Sequence, residues 1–155
     1  INYGVTGPSG RGSGWACDVR KRSPYAAYDK VQFDEVLYNE GDSYARYMVR
    51  MKEIEQSLHI LEQLVDNIPE GDYLAKTKPI IKVPEGRYFK EVEAARGAFG
   101  IYLESRGDKF PYRLKVNSPG FNLVGAVDHM TRGSKIADLI AIGGSLDYVV
   151  PDIDR

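Results

Sequence analysis

Two groups of residues invite a chemical reading first. Gly7-Pro8-Ser9-Gly10-Arg11-Gly12-Ser13-Gly14 has the glycine density of a phosphate-wrapping loop. The rest of such a loop is missing, because no Lys-Ser/Thr pair follows the last glycine and no apolar strand leads in. Backbone turns, or close approach to another chain, are the readings left for these glycines. Cys17 is the one cysteine, so it closes no internal disulfide and holds no structural zinc or iron–sulfur cluster by itself. Asp18 pushes such a thiol towards a higher pKa and Arg20 towards a lower one, so no activated nucleophile emerges. His59 has no inward-facing ligand partner at metal spacing, and His129 has only Asp128 beside it. Two isolated histidines make neither a metal site nor a triad. The run Arg20-Lys21-Arg22 fits a solvated or salt-bridged loop, or part of an arm that grips a partner. These residues alone define no catalytic constellation.

The elements that would carry them can be read from periodicity. Residues 1–41 are rich in Gly, Pro, Ser and charge and show no sustained period, yet they hold Tyr3, Trp15, Tyr25, Tyr28 and Phe33. Disordered segments are poor in aromatics, so the expectation is an extended aromatic arm packed on this chain or a neighbour, with a short strand at Val31–Phe33. Residues 42–67 place Tyr44, Tyr47, Met48, Met51, Ile54, Leu58, Leu61, Leu64 and Val65 on one helical stripe, with Asp42 as N-cap and Pro69 beyond the end. At 1.5 Å per residue this helix spans roughly 39 Å.

From residue 86 the period becomes two. Phe99, Ile101 and Leu103 alternate with smaller or polar residues, as do Tyr112, Leu114 and Val116. Turns are expected at Arg96-Gly97 and at Arg106-Gly107-Asp108, giving a small antiparallel meander with one buried face. Two C-terminal helices follow: Phe121 to Met130, and a second from near Ser134 to a glycine stop at Gly143-Gly144. The fold class is α+β, with residues 42–155 forming one truncated domain behind the arm. A net charge of −1 gives no electrostatic reason for a nucleic-acid partner. No apolar run reaches the ~18 residues of a membrane span. The single thiol fits a reducing, cytoplasmic-side setting, and the start at Ile1 without methionine or a signal-like segment predicts a cut or processed end.

Several strings occur in an order that resembles one family. They are Gly4-Val5-Thr6-Gly7, Arg11-Gly12-Ser13-Gly14, Asp18-Val19-Arg20-Lys21 with Pro24-Tyr25, Gly41-Asp42-Ser43-Tyr44-Ala45-Arg46-Tyr47, and Gln56-Ser57-Leu58-His59-Ile60-Leu61. Glu93-Ala94, Arg96-Gly97, Phe99-Gly100, Pro111-Tyr112-Arg113 and Gly144-Ser145-Leu146-Asp147 through Asp154-Arg155 complete the series. Together they look like the C-terminal part of the 49-kDa-type subunit of respiratory complex I, the NADH–quinone oxidoreductase. That family is in turn similar to the large subunit of nickel–iron hydrogenases, so a hydrogenase-large-subunit-like fragment is implied. In hydrogenases the C-terminal pattern Asp-Pro-Cys-x-x-Cys-x-x-His binds the metals. Here the two cysteine positions read Val149 and Asp152 and the histidine position reads Arg155. Without thiolates that bimetallic centre cannot assemble.

The resemblance implies a role in electron transfer to quinone, in a cavity beside an iron–sulfur cluster held by a neighbouring subunit. It implies no metal or other cofactor bound by this chain, and no catalytic residue on it. Partners would be the iron–sulfur and membrane-arm subunits, at the cytoplasmic face of the inner membrane, without a transmembrane segment. The expected cavity-wall residues are Asp147, Val149 and Asp152. The alternative is an assembly or scaffold domain with no direct quinone role. The sequence departs from the family's usual pattern at Pro151 and Asp152, where Gly-Glu is common, and at Ala95 and Ala98, where Pro and Glu are common. Alone, the piece is expected to be inactive and to self-associate through exposed apolar faces.

Overall fold

The computed structural model describes residues 1–154. Helices α1 (Gly7–Arg11) and α2 (Val19–Arg22) interrupt the N-terminal arm, and α3 (Ser43–Val65) is the long helix. Strands β1 (Gly86–Ala94), β2 (Gly97–Ser105) and β3 (Arg113–Asn117) form an antiparallel sheet in that order. Helices α4 (Pro119–Thr131) and α5 (Asp138–Leu146) follow, then a 3₁₀ turn at Val150–Asp152.

Helix α3 starts where the sequence predicts, because the Asp42 carboxylate accepts the Ala45 N–H at 2.7 Å and satisfies one of the orphan donors of the first turn. Its orientation is the surprise. The buried face carries Ala45, Arg46, Val49 and Ile60. Tyr44, Tyr47, Met51, Ile54, Leu58, Leu61 and Val65, from the stripe that identifies the helix, are 42–66 % exposed. They recur at alternating steps of three and four, the 3.5-residue period of a helix–helix seam. Polar side chains on the opposite face draw the helix inward, as described below.

The sheet differs from expectation in the same way. In the observed register Tyr88 lies opposite Leu103 and Leu103 opposite Leu114, while Lys90 and Val116 flank Ile101. This apolar face is not buried within the chain: Tyr88, Ile101 and Leu114 are all exposed. The β2–β3 connection is also longer than a three-residue turn, running from 106 to 112. It is closed by the Tyr112 N–H to Glu104 carbonyl bond (2.9 Å) and by Arg106 stacked over the Tyr112 ring.

The arm packs on the chain's own body. Phe33 is buried, and Tyr25, Tyr28 and Phe33 form an edge-to-face series with centroids 5.0 and 6.1 Å apart. Arg20 and Lys21 lie over the Phe33 ring. No strand forms at Val31–Phe33. The Gln32 N–H donates to Gln63 Oε1 (2.8 Å), the Gln32 carbonyl accepts from Gln63 Nε2 (2.6 Å), and the Asp34 N–H donates to Gln56 Oε1 (2.8 Å). Side chains of α3 thus supply the bonds that a neighbouring strand would have made.

Two glycines explain how α1 meets the sheet. A Cβ on Gly7 would stand 2.5 Å from Gly97 Cα, and one on Gly97 would run into Thr6 Oγ1. Both have positive φ, +66° and +137°. The close approach read from the glycine run is therefore made within the chain. At the C-terminal end, α5 begins at Asp138 and not near Ser134, and it passes through Gly143 and Gly144. It ends at Leu146 because Asp147 turns left-handed (φ +56°), its N–H shared between the Gly143 and Gly144 carbonyls. Leu146 is buried, as are Leu123 and Ala126 of α4, and the two helices pack on each other.

Candidate functional site

The C-terminal tail runs from Asp147 back across the end of the sheet, facing the β1–β2 turn. Between tail and turn lies a cavity of about 230 Å³. Ala94, Ala95 and Phe99 form its sheet side, Pro119 its α4 side, and Val149 and Pro151 its tail side, with Arg96 and Asp152 as its charged groups. Of the three residues expected from sequence, Val149 and Asp152 line this cavity, and Asp147 stands beside it. Three of the four positions that depart from the resembled pattern (Ala95, Pro151 and Asp152) line it as well. Arg155 lies outside the described residues.

Each candidate is held by an identifiable contact. Asp152 lies at the N-terminus of α4, where the Ser118 hydroxyl donates to its Oδ2 and in turn accepts the Gly120 N–H at 3.2 Å. The helix dipole favours an anion there. A Cβ on Gly120 would stand 2.9 Å from Asp152 Oδ2, so a larger residue there would have to push the carboxylate aside. Asp147 is held by Arg96, whose Nε donates to the Asp147 carbonyl (2.7 Å) and whose Nη2 lies 3.4 Å from Oδ1.

A buried ionic cluster stands behind the turn. Arg11, at the end of α1, is 1 % exposed and donates from Nε to Glu53 (2.6 Å) and from Nη1 to Glu93 (2.7 Å). Glu93 Oε2 also accepts the Val19 N–H, and the Glu93 N–H donates to the Tyr25 hydroxyl. Burial opposes the charge on Arg11, but the two carboxylates outweigh it and raise its pKa. Burial pushes the Glu53 carboxyl up, with Arg11 compensating only in part. Asp18 differs: burial raises it, yet its bonds to Arg20 hold it below the ordinary value. Burial is the leading cause that lowers Arg50, on the inner face of α3, with Asp147 and Glu53 opposing it. Arg46, lowered first by burial, donates to Ser145 Oγ at 2.8 and 3.0 Å and ties α3 to α5.

Sequence reasoning missed Arg11, Glu53 and Arg96 as site-forming residues. A usable signal existed for the helix: Arg46, Arg50 and Glu53 recur at helical spacing opposite the apolar stripe, which marks a second inward face. Cys17 is buried, and burial pushes its thiol up to about 11, so it is not a nucleophile. His59 stands exposed on α3, and His129 packs against the Tyr3 ring. Among the described residues no three His, Cys, Asp or Glu side chains converge on a possible metal, and no helix is long and apolar enough to cross a membrane.

A second groove of about 390 Å³ lies between the arm and α3, walled by Tyr28, Ile60 and Leu61 among others. Its one charged group, Arg20, is already paired with Asp18 at 2.6 Å. The smaller cavity differs in bringing two charged groups, Arg96 and Asp152, to an apolar wall, each held by a partner of its own.

The chain is an α+β unit in which a long helix, a three-stranded antiparallel meander and two C-terminal helices carry a tail without cysteine. The model for the respiratory-chain NADH dehydrogenase 49 kDa subunit family matches residues 1–82 and 77–155, and this chain belongs to that family. Similar proteins include the C/D-type subunit of the NADH-quinone oxidoreductase of Bacteroides fragilis, 68 % identical over 155 residues, and that of Phocaeicola vulgatus, 66 % identical over 155 residues. Both matches cover 100 % of this chain, but only 29 % and 30 % of those proteins. The D-type subunit of the NADH-quinone oxidoreductase of Desulfotalea psychrophila is 56 % identical over 154 residues, 99 % of this chain and 41 % of that protein. The chain therefore spans well under half the length of these relatives.

Proposed function

We propose that this chain forms the C-terminal wall of the quinone cavity of an NADH–quinone oxidoreductase, beside an iron–sulfur cluster held by a neighbouring subunit. The observation that carries this reading is the convergence of Val149 and Asp152 with Phe99 and Arg96 on one small cavity. Its volume is below the ~300 Å³ of a complete ligand site, as suits one wall completed by other elements. Reduction of a quinone takes two electrons, from the cluster, and two protons. The role of this chain is to seat the ring: Val149 and Phe99 give apolar contact, while Asp147 and Asp152 are polar groups in a partly desolvated wall. The chain contributes to the oxidoreductase only within the complex, as a peripheral subunit at the cytoplasmic face of the inner membrane, with iron–sulfur and membrane-arm subunits as partners.

The test uses the intact complex carrying Val149→Met, which places a longer side chain in the cavity. Quinone KM and the potency of quinone-site inhibitors should shift several-fold with assembly unchanged. Unchanged values for both would refute the reading. The exposed α3 seam favours a second reading, an assembly domain without quinone contact. Photo-crosslinking of a quinone analogue in the complex separates the two, since a scaffold would remain unlabelled at the tail.

A further inference from the structure

We propose that Arg96 is a positioning residue that sets the width of the cavity by fixing the backbone of the tail at Asp147; this rests on the cavity reading above. The turn that carries Arg96 is itself immobilised. Gly97 abuts Thr6 and Gly7 backbone to backbone, the Ala98 N–H donates to Thr6 Oγ1 at 2.9 Å, and Glu93 is clamped by Arg11. The opposite wall is held at two points, Asp152 on Ser118 and Asp147 at the end of α5. After α5 the tail leaves through Asp147, one of two non-glycine residues with positive φ among those described. Aspartate adopts that conformation at modest cost, with its N–H on the Gly143 and Gly144 carbonyls; its own carbonyl, turned out of the helix, is left for a partner on another element.

Arg96 is that partner, across 51 residues of sequence, and it binds mainly the main chain. Its Nε reaches the Asp147 carbonyl at 2.7 Å, whereas the carboxylate contact is a looser 3.4 Å. The carbonyl belongs to the C-cap of α5, where a cation is also favoured by the helix dipole. Two residues on, Val149 enters the cavity, with Phe99 and Arg96 itself on the sheet side. Loss of the guanidinium releases the Asp147 end of the tail wall, next to Val149, while Asp152 stays on Ser118 and both apolar surfaces remain.

The experiment measures quinone KM and kcat in the purified complex with Arg96→Ala, Arg96→Lys and Asp147→Asn, beside Val149→Met. Arg96→Ala should raise KM about tenfold with a smaller change in kcat, because a displaced wall weakens seating of the ring more than the chemistry. Arg96→Lys, a single donor without the fork, should lie between Arg96→Ala and the unmodified complex. Asp147→Asn keeps the carbonyl acceptor and should raise KM less than Arg96→Ala. An Arg96→Ala KM within twofold of normal, while Val149→Met shifts it, would overturn the proposal and leave the cavity reading standing. If neither variant moves KM, the cavity reading fails. An Asp147→Asn effect equal to or greater than that of Arg96→Ala would also overturn it, because the carboxylate and not the backbone would then matter. Should Arg96→Ala not assemble, Arg96→Lys decides: about a threefold rise supports the proposal, and no rise overturns it.

Discussion

Removing Arg11 should cost far more than deleting a surface charge. Its guanidinium is 1 % exposed and bridges Glu53, 16 % exposed, and Glu93, 6 % exposed. Arg11→Ala leaves both carboxylates facing each other in a desolvated site. Breaking a buried ion pair from one side costs about 3–5 kcal/mol, a large part of the ~5–15 kcal/mol that holds a domain folded. The pH dependence gives a second handle. Burial already raises the Glu53 pKa, so the native state binds more protons than the unfolded state just above the ordinary Glu value. Stability from this group is therefore greatest in acid and falls as pH rises through that window. Without Arg11 the shift grows, so the deficit of the variant should be largest near neutral pH and shrink on acidification. Urea unfolding at one fixed low protein concentration, at pH 7 and near pH 4.5, measures both quantities. A loss under about 1 kcal/mol at pH 7, or a deficit that grows in acid, would refute the reasoning.

Three other outcomes follow from the geometry. Cys17 should resist thiol reagents at pH 8 in the native state and react in urea. Because its folded pKa is about 11 against an ordinary 9.0, stability should fall as pH rises from 9 towards 11, as seen in unfolding curves of the wild type but not of Cys17→Ala. Gly97→Ala should destabilise by about 2 kcal/mol or more, since the new Cβ meets Thr6 at a φ of +137°; a normal melting curve would contradict that. The isolated chain should self-associate in light scattering through the α3 seam, and Leu58→Asp with Leu61→Asp should reduce this; a concentration-independent monomer in the wild type would count against it.

What the sequence made legible follows from the kind of signal each element carries. Helix α3, β1, β2 and α4 announce themselves through local period and capping, and Asp42 and Ser118 cap as expected of their types. Burial did not follow from the same pattern. The stripe through Ile54 and Leu58 marks a helix correctly, but the face that meets this chain carries Arg46 and Glu53, paired with Ser145 and Arg11 far along the sequence. Glycine's preference for the left-handed cap predicts the end of α5 at Gly143-Gly144, whereas Asp147 adopts that conformation with Arg96 on its carbonyl. Val149 and Asp152 were singled out from a resemblance, and no local period points to them. Arg96 was invisible as their companion because 51 residues separate it from Asp147.

The two glutamines of α3 that serve the arm shift where mutation can be tolerated. A side-chain amide offers two N–H donors and an acceptor oxygen; with Nε2 also on the His59 carbonyl of its own helix, Gln63 still presents a donor and an acceptor to Gln32, a one-residue imitation of a β-strand. Recognition there passes through the arm's main chain, which every residue type except proline can present. Drift at position 32 should therefore be cheap, while a change as small as Gln63→Glu removes the donor and places a carboxylate against a carbonyl oxygen. Selection for the docking of the arm thus acts on the surface of the helix and largely spares the letters of the arm itself.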